Sequence, residues 1–136
     1  MKLNRLHFHP INGKALDIIT AILHTEEVAS VGKAFDVIRL VAEELVMNIV
    51  QYAYPEGGDD YLDVEIERDD NRITLRFRDG GVPFNPLELA SPDISLPIEQ
   101  RRIGGLGFFI VTKKMDSVKY EYTDGENVLT VMKELK

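Results

Sequence analysis

Hydrophobic and polar positions follow two different periods along the chain. In residues 3–9 the period is two, with Leu6 and Phe8 on one face and His7 and His9 on the other, which predicts a short strand. Residues 12–24 carry Ala15, Leu16, Ile18, Ile19, Ile22 and Leu23 at helical spacing. Residues 33–53 read as a second, longer and more apolar helix, ended by Pro55, Gly57 and Gly58. Period two then returns. Leu62, Val64 and Ile66 alternate with Asp63, Glu65 and Glu67, and after a turn around Asp69 to Asn71, Ile73, Leu75 and Phe77 alternate with Thr74, Arg76 and Arg78. Pairing Glu67 with Arg72 sets Asp63 opposite Arg76, so opposite charges meet across this hairpin. Residues 80–107 hold five glycines and four prolines and predict a long loop. A helix from Leu106 to Met115 follows. A last hairpin pairs residues 117–122 with 127–134 through an Asp124-Gly125 turn. This order of elements predicts an α+β fold, a two-layer sandwich of a mixed, mainly antiparallel sheet with helices on one face.

The 136 residues fit one domain with one core, residues 1–136. Sixteen basic against 23 acidic residues give a net charge of −7, which argues against an extended nucleic-acid surface and against docking on anionic membranes. The charge is unevenly placed. Residues 56–70 sum to −7 and residues 101–120 to +4. Cysteine is absent, which removes disulfides, thiol nucleophiles and Cys-ligated metals. The three histidines all lie near the N-terminus, too few and too clustered for a catalytic triad or a three-His metal site. No apolar stretch reads as a signal peptide or a membrane span, so the expected location is cytoplasmic.

Three segments carry candidate chemistry. On the long helix, at about 100° per residue, Glu44, Asn48 and Gln51 fall within an arc of about 60°, bordered by Val37, Val41 and Leu45. A carboxylate there can take a proton from a hydroxyl, and an Asn oxygen can ligate Mg²⁺; a partly solvated polar stripe is the plainer alternative. Glu43 falls on the other side, four residues after Arg39, and reads as a surface ion pair. Asp79-Gly80-Gly81-Val82-Pro83-Phe84 follows a strand directly. Its glycines allow close backbone approach and Asp79 can accept from an exocyclic amine, although an Asp-capped turn has the same composition. Ile103-Gly104-Gly105-Leu106-Gly107-Phe108 runs into a helix, whose free N–H groups suit an anion, with Arg101 and Arg102 before it and Lys113 and Lys114 after; a lid hinge is the alternative.

In this order, EELVMNIVQYAY, DGGVPFNP and IGGLGFFIVTKKMDSVKY resemble the N box and the two glycine boxes of the GHKL (Bergerat-fold) ATPases. Within that group the chain resembles the anti-sigma-factor serine/threonine kinases, and NVLTVMK resembles their closing strand. The resemblance implies a histidine-kinase-like ATPase sandwich with ATP and Mg²⁺ as cofactors. It implies Glu44 as general base, Asn48 as the Mg²⁺ and nucleotide ligand, and Asp79 as the residue that binds the adenine amino group, with Gly81 beside it. Gly104, Gly105, Leu106, Gly107 and Phe108 would lie at the triphosphate and Thr130 near adenine, and residues 85–104 would form a short lid. It further implies a STAS-type anti-anti-sigma protein as phosphoacceptor, a sigma factor as second partner, and a homodimer, in transcription regulation. Two positions depart from the pattern. Tyr52 stands where many members have His. Ile103 stands where many have Arg or Ser before the glycines, which leaves Arg102 or Arg101 to reach the γ-phosphate. A catalytically weak, nucleotide-dependent protein-binding module is the alternative function.

Overall fold

A computed structural model describes residues 2–11, 13–54, 60–89 and 105–135. Strands β1 (Lys2–Phe8), β2 (Leu62–Arg68), β3 (Arg72–Asp79), β4 (Ser117–Thr123) and β5 (Glu126–Glu134) form one sheet in the order β1-β2-β3-β5-β4. Among the described residues the helices are α1 (Ala15–Leu23), α2 (Glu26–Ala29), α3 (Phe35–Asn48) and α4 (Gly105–Lys114), with 3₁₀ turns at Gly32–Ala34 and Pro86–Leu89 and a π-helical turn at Ile49–Ala53. The α+β sandwich expected from the sequence is present. The short α2, capped by the Thr25 hydroxyl on the Val28 N–H, is an addition to it.

Every pairing among the described strands is antiparallel, where a mixed sheet was expected. The connections explain this. Two long helices intervene between β1 and β2, so the chain re-enters the sheet from the end at which it left. Among the described residues one α-helix, α4, stands between β3 and β4. That connection makes the two strands run the same way, but β5 lies between them and separates them.

The β2–β3 register also differs from expectation. Glu67 faces Thr74, Glu65 faces Arg76 and Asp63 faces Arg78, a slip of two residues from the Glu67–Arg72 pairing. The Asp69 carboxylate accepts the N–H groups of Asn71 (2.8 Å) and Arg72 (3.0 Å), which closes a tight turn over Asp70 and Asn71. A two-residue slip leaves each side chain on its own face, and here it leaves acids facing bases as well. Period and charge therefore cannot choose between the registers, and the turn does. The other hairpin turns where expected, with Asp124 at φ 53° and Gly125 at φ 78°, the left-handed pair that this turn requires.

One apolar core lies between the sheet and the helices. Ile18, Ile19 and Ile22 of α1, Ile38, Val41, Leu45 and Val46 of α3, and Phe108 and Val111 of α4 pack on Val64, Ile66, Leu75, Phe77, Leu129 and Val131 of the sheet. The opposite sheet face is polar. There Arg76 reaches Glu65 (3.3 Å) and Glu67 (3.8 Å), and Arg78 reaches Glu65 (3.4 Å). No helix among the described residues is long and apolar enough to cross a membrane.

Candidate functional site

The first wall of the site is the end of α3. Asn48 is its last residue, and the chain continues as a π-helical turn, Ile49–Ala53. Asn48 is buried and its Nδ2 has no hydrogen-bond partner among the described residues. Such a group is costly to bury and invites a ligand. Glu44, one turn earlier, is half-buried. Burial, and then the negative charge of neighbouring Glu43, push its carboxyl above the usual carboxylate range. Glu43 pairs with Arg39 (3.7 Å) on the surface, as expected. Gln51 is exposed instead of continuing the Glu44–Asn48 stripe, because the wider π turn rotates it away.

The second wall is the loop after β3. Asp79 ends the strand, and its Oδ1 accepts from the Gly81 N–H (2.9 Å) and the Asn127 amide (3.0 Å). Oδ2 takes no hydrogen bond among the described residues. Burial pushes the Asp79 carboxyl up, and the Asn127 and Gly81 hydrogen bonds pull it partly back. The loop is pinned to the π turn at two points. The Val82 N–H donates to the Ala53 carbonyl (2.8 Å), and the Gly80 N–H donates to the Tyr54 hydroxyl (2.7 Å). That hydroxyl in turn donates to the Tyr61 carbonyl (2.6 Å).

These walls enclose a pocket lined by Leu45, Asn48, Ile49, Phe77, Asp79, Phe84, Tyr120, Asn127 and Leu129. Among the described residues four polar or charged side chains are buried: Glu27, Asn48, Asp79 and Asn127. All but Glu27 line this one pocket. An apolar slot with a carboxylate oxygen in its lining has the chemistry to receive an N–H donor on the edge of an apolar ring.

The structure thus brings Asn48, Asp79 and Gly81 together, with Glu44 one turn away outside the pocket lining. It separates others. Thr130 pairs with Arg76 on the polar face of the sheet, where its hydroxyl accepts from Arg76 Nε (3.3 Å). The sheet stands between Thr130 and the pocket. The Phe108 side chain is fully buried in the core, which turns it away from any ligand at the glycine loop. Gly105, Leu106 and Gly107 form the start of α4. Lys113 lies over the Phe109 ring, 5.2 Å from its centroid, and Lys114 lines a separate groove with Val31 and Leu135. Both lysines sit at the far end of α4, about 12–14 Å from its N-terminus at the usual rise per residue. The two lysines therefore do not supply the basic charge expected beside the glycine loop. Arg101, Arg102, Ile103, Gly104 and the proposed lid from residue 90 onward lie outside the described residues, as do Pro55, Gly57 and Gly58.

Asn127 is the site residue that sequence reasoning missed. Its strand carries apolar residues in both phases, Leu129 and Val131 in one and Val128 and Met132 in the other, so the inward phase could not be read.

The burial of Asp79 has a consequence for stability. Its folded pKa lies above its unfolded one, so its contribution is most favourable at acid pH and is lost as pH rises through the folded pKa. Asp79→Asn keeps an oxygen for Gly81 and Asn127 and removes the buried charge. The variant is expected to melt about 2–4 °C above the wild type at pH 7, with the gap closing toward pH 4. Thermal unfolding at the two pH values measures this, and a variant that melts below the wild type at pH 7 contradicts it.

Comparison with known proteins agrees with this geometry. The chain is 29% identical over 101 residues to the serine-protein kinase RsbW of Listeria monocytogenes, a match covering 71% of this chain and 64% of that protein. It is 31% identical over 105 residues to the serine-protein kinase RsbW of Bacillus cereus, covering 72% and 65%. It is 26% identical over 92 residues to the serine/threonine-protein kinase BtrW of Bordetella bronchiseptica, covering 68% and 65%. The chain thus spans slightly under two thirds of the length of these relatives. The histidine kinase-like ATPase domain matches residues 13–133, nearly the whole chain. With that match and the fold described above, this chain belongs to the histidine kinase-like ATPase domain family.

Proposed function

We propose that the chain is an anti-sigma-factor serine/threonine kinase. It binds Mg·ATP and phosphorylates a small STAS-type anti-anti-sigma protein, and it holds a sigma factor when that antagonist is not engaged. The observation that carries the reading is the single pocket shared by buried Asn48 and buried Asp79. Relatives named as serine-protein kinases support the reaction class. The reading includes one domain over residues 1–136, a homodimer, and a cytoplasmic site of action in transcription regulation.

Each residue has a stated task. Asp79 Oδ2 accepts from the adenine amino group while the ring lies against Phe77 and Leu129. The Gly105–Gly107 start of α4 offers backbone N–H groups to the phosphates. The orphaned amide of Asn48 fits the phosphate end, where its oxygen would hold Mg²⁺ and its nitrogen a phosphate oxygen. Mg²⁺ commonly uses only one or two protein ligands beside phosphate oxygens and water, and when bound it neutralises phosphate charge. Glu44 takes the proton of the acceptor hydroxyl. That oxygen bonds to the γ-phosphorus, the bond from phosphorus to the bridging oxygen breaks, and ADP leaves. The raised pKa of Glu44 makes it a better base than a solvated carboxylate.

The experiment is incubation with γ-labelled ATP and candidate STAS proteins. Label on a serine or threonine of one partner is expected. Tight nucleotide binding with no labelled partner supports the second reading, a nucleotide-dependent binding module, which Ile103 favours by removing a polar residue from the start of the glycine loop.

A further inference from the structure

Asn127 lies one residue into β5, opposite Asp79 across the β3–β5 ladder, and is only 6% exposed. Its amide is fully used. Nδ2 donates to Asp79 Oδ1 (3.0 Å) and to the Val82 carbonyl (2.9 Å). Oδ1 accepts from the Phe84 N–H (3.0 Å) and from the Tyr120 hydroxyl. These partners fix which way the amide points. Turned over, it would set its oxygen against the Asp79 carboxylate and its NH₂ against the Phe84 N–H, so that acceptor meets acceptor and donor meets donor.

We propose that Asn127, and not Thr130, is the residue that sets base specificity in this pocket, by holding Asp79 in the one orientation that presents a free acceptor oxygen to the ligand. The inference rests on the proposed nucleotide reading and deepens it. Two donors occupy Oδ1, so the carboxylate cannot rotate without losing both. Oδ2 is then left as an acceptor in a pocket otherwise lined mostly by apolar side chains. It rewards a ring with an exocyclic amine. It penalises a ring with a carbonyl at the same position, because acceptor would face acceptor. The same side chain ties the Gly81–Phe84 loop to β5, so the loop that carries Phe84 into the pocket wall and the carboxylate at its floor share one anchor. Asn127 is thus a positioning residue that acts on the ligand through Asp79.

The test compares ATP with ITP, which carries an oxo group where ATP carries the amine. Calorimetry is run with Mg²⁺ on wild type, Asn127→Ala and Asn127→Ser. The wild type is expected to prefer ATP by at least about tenfold. In both variants ATP binding falls by roughly tenfold or more while ITP binding changes by less than about twofold, so the preference collapses. Serine keeps a polar group at the position but is too short to reach Asp79, which provides a second variant if alanine does not fold. A variant that weakens ATP and ITP by the same factor has lost only structure and overturns the inference, as does one that keeps the wild-type ratio. A wild type that binds neither nucleotide overturns the proposed function itself, a different outcome from either of these.

Discussion

Glu44→Gln is expected to lower phosphoryl transfer by about 10²- to 10⁴-fold while leaving ATP affinity within roughly twofold. Glutamine keeps the size of the side chain and one oxygen but cannot take a proton. Glu44 stands one turn from Asn48 and outside the pocket lining, so no contact to the base is lost. The fold does not need this charge either. Burial and the neighbouring Glu43 disfavour the ionised form, and neutralising it relieves both. The variant is therefore expected to melt no lower than the wild type, which separates a lost base from a damaged protein. The same raised pKa predicts that the wild-type rate falls on acidification at a pH above that of an ordinary glutamate, because the base works only when ionised. Single-turnover transfer measured from pH 5 to 8 reads both effects. Undiminished transfer by the glutamine variant would remove Glu44 from the mechanism.

Gly81→Ala is the second change with a large expected effect, and its cause is backbone approach. A Cβ built on Gly81 would lie 2.2 Å from the Ala53 carbonyl oxygen and 2.7 Å from the Ala53 side chain. Neither atom can swing aside, since both belong to the π turn. Admitting the methyl group means separating the turn from the loop, which breaks the bond from the Val82 N–H to Ala53 and moves the Gly81 N–H away from Asp79. The expected loss is roughly 2–4 kcal/mol, read as a melting temperature lower by about 10 °C or more. Protein that still folds should bind ATP at least about tenfold more weakly, since Asp79 loses one of its two anchors. Gly80→Ala is the control. Its Cβ would meet the Tyr61 ring at 2.8 Å, a side chain able to give way, so the variant should be affected much less. Equal losses in the two variants would contradict this account of the junction.

Much of this was legible in the chain because the signals are local. Alternation marked the first hairpin, and the Asp124-Gly125 turn marked the second. Glu44, Asn48 and Asp79 stood out as polar residues in apolar or glycine-rich settings, and the fold gathers Asn48 and Asp79 into one pocket. What escaped depends on parity and distance. Apolar residues in both phases of β5 hid its inward face, so Asn127 was passed over, and Thr130, which the resemblance put near adenine, lies on the other face. The resemblance put Phe108 at the triphosphate, yet its place on α4 turns the ring into the core. Lys113 and Lys114 are close to the glycines in sequence, but the length of α4 carries them to the opposite end of the helix. The π turn after Asn48 has no sequence mark comparable to a proline or a glycine. Even so, it shapes the junction on which Gly81 depends.

The central claim is that one pocket, floored by Asp79, binds the base of Mg·ATP. A calorimetric titration of wild type and Asp79→Asn with Mg·ATP tests it most directly. The account predicts a saturable site on the wild type. It also predicts at least about a tenfold loss in the variant, whose side-chain NH₂ would face the adenine amine donor to donor. Equal affinity in the two proteins, or no binding by the wild type, would contradict it.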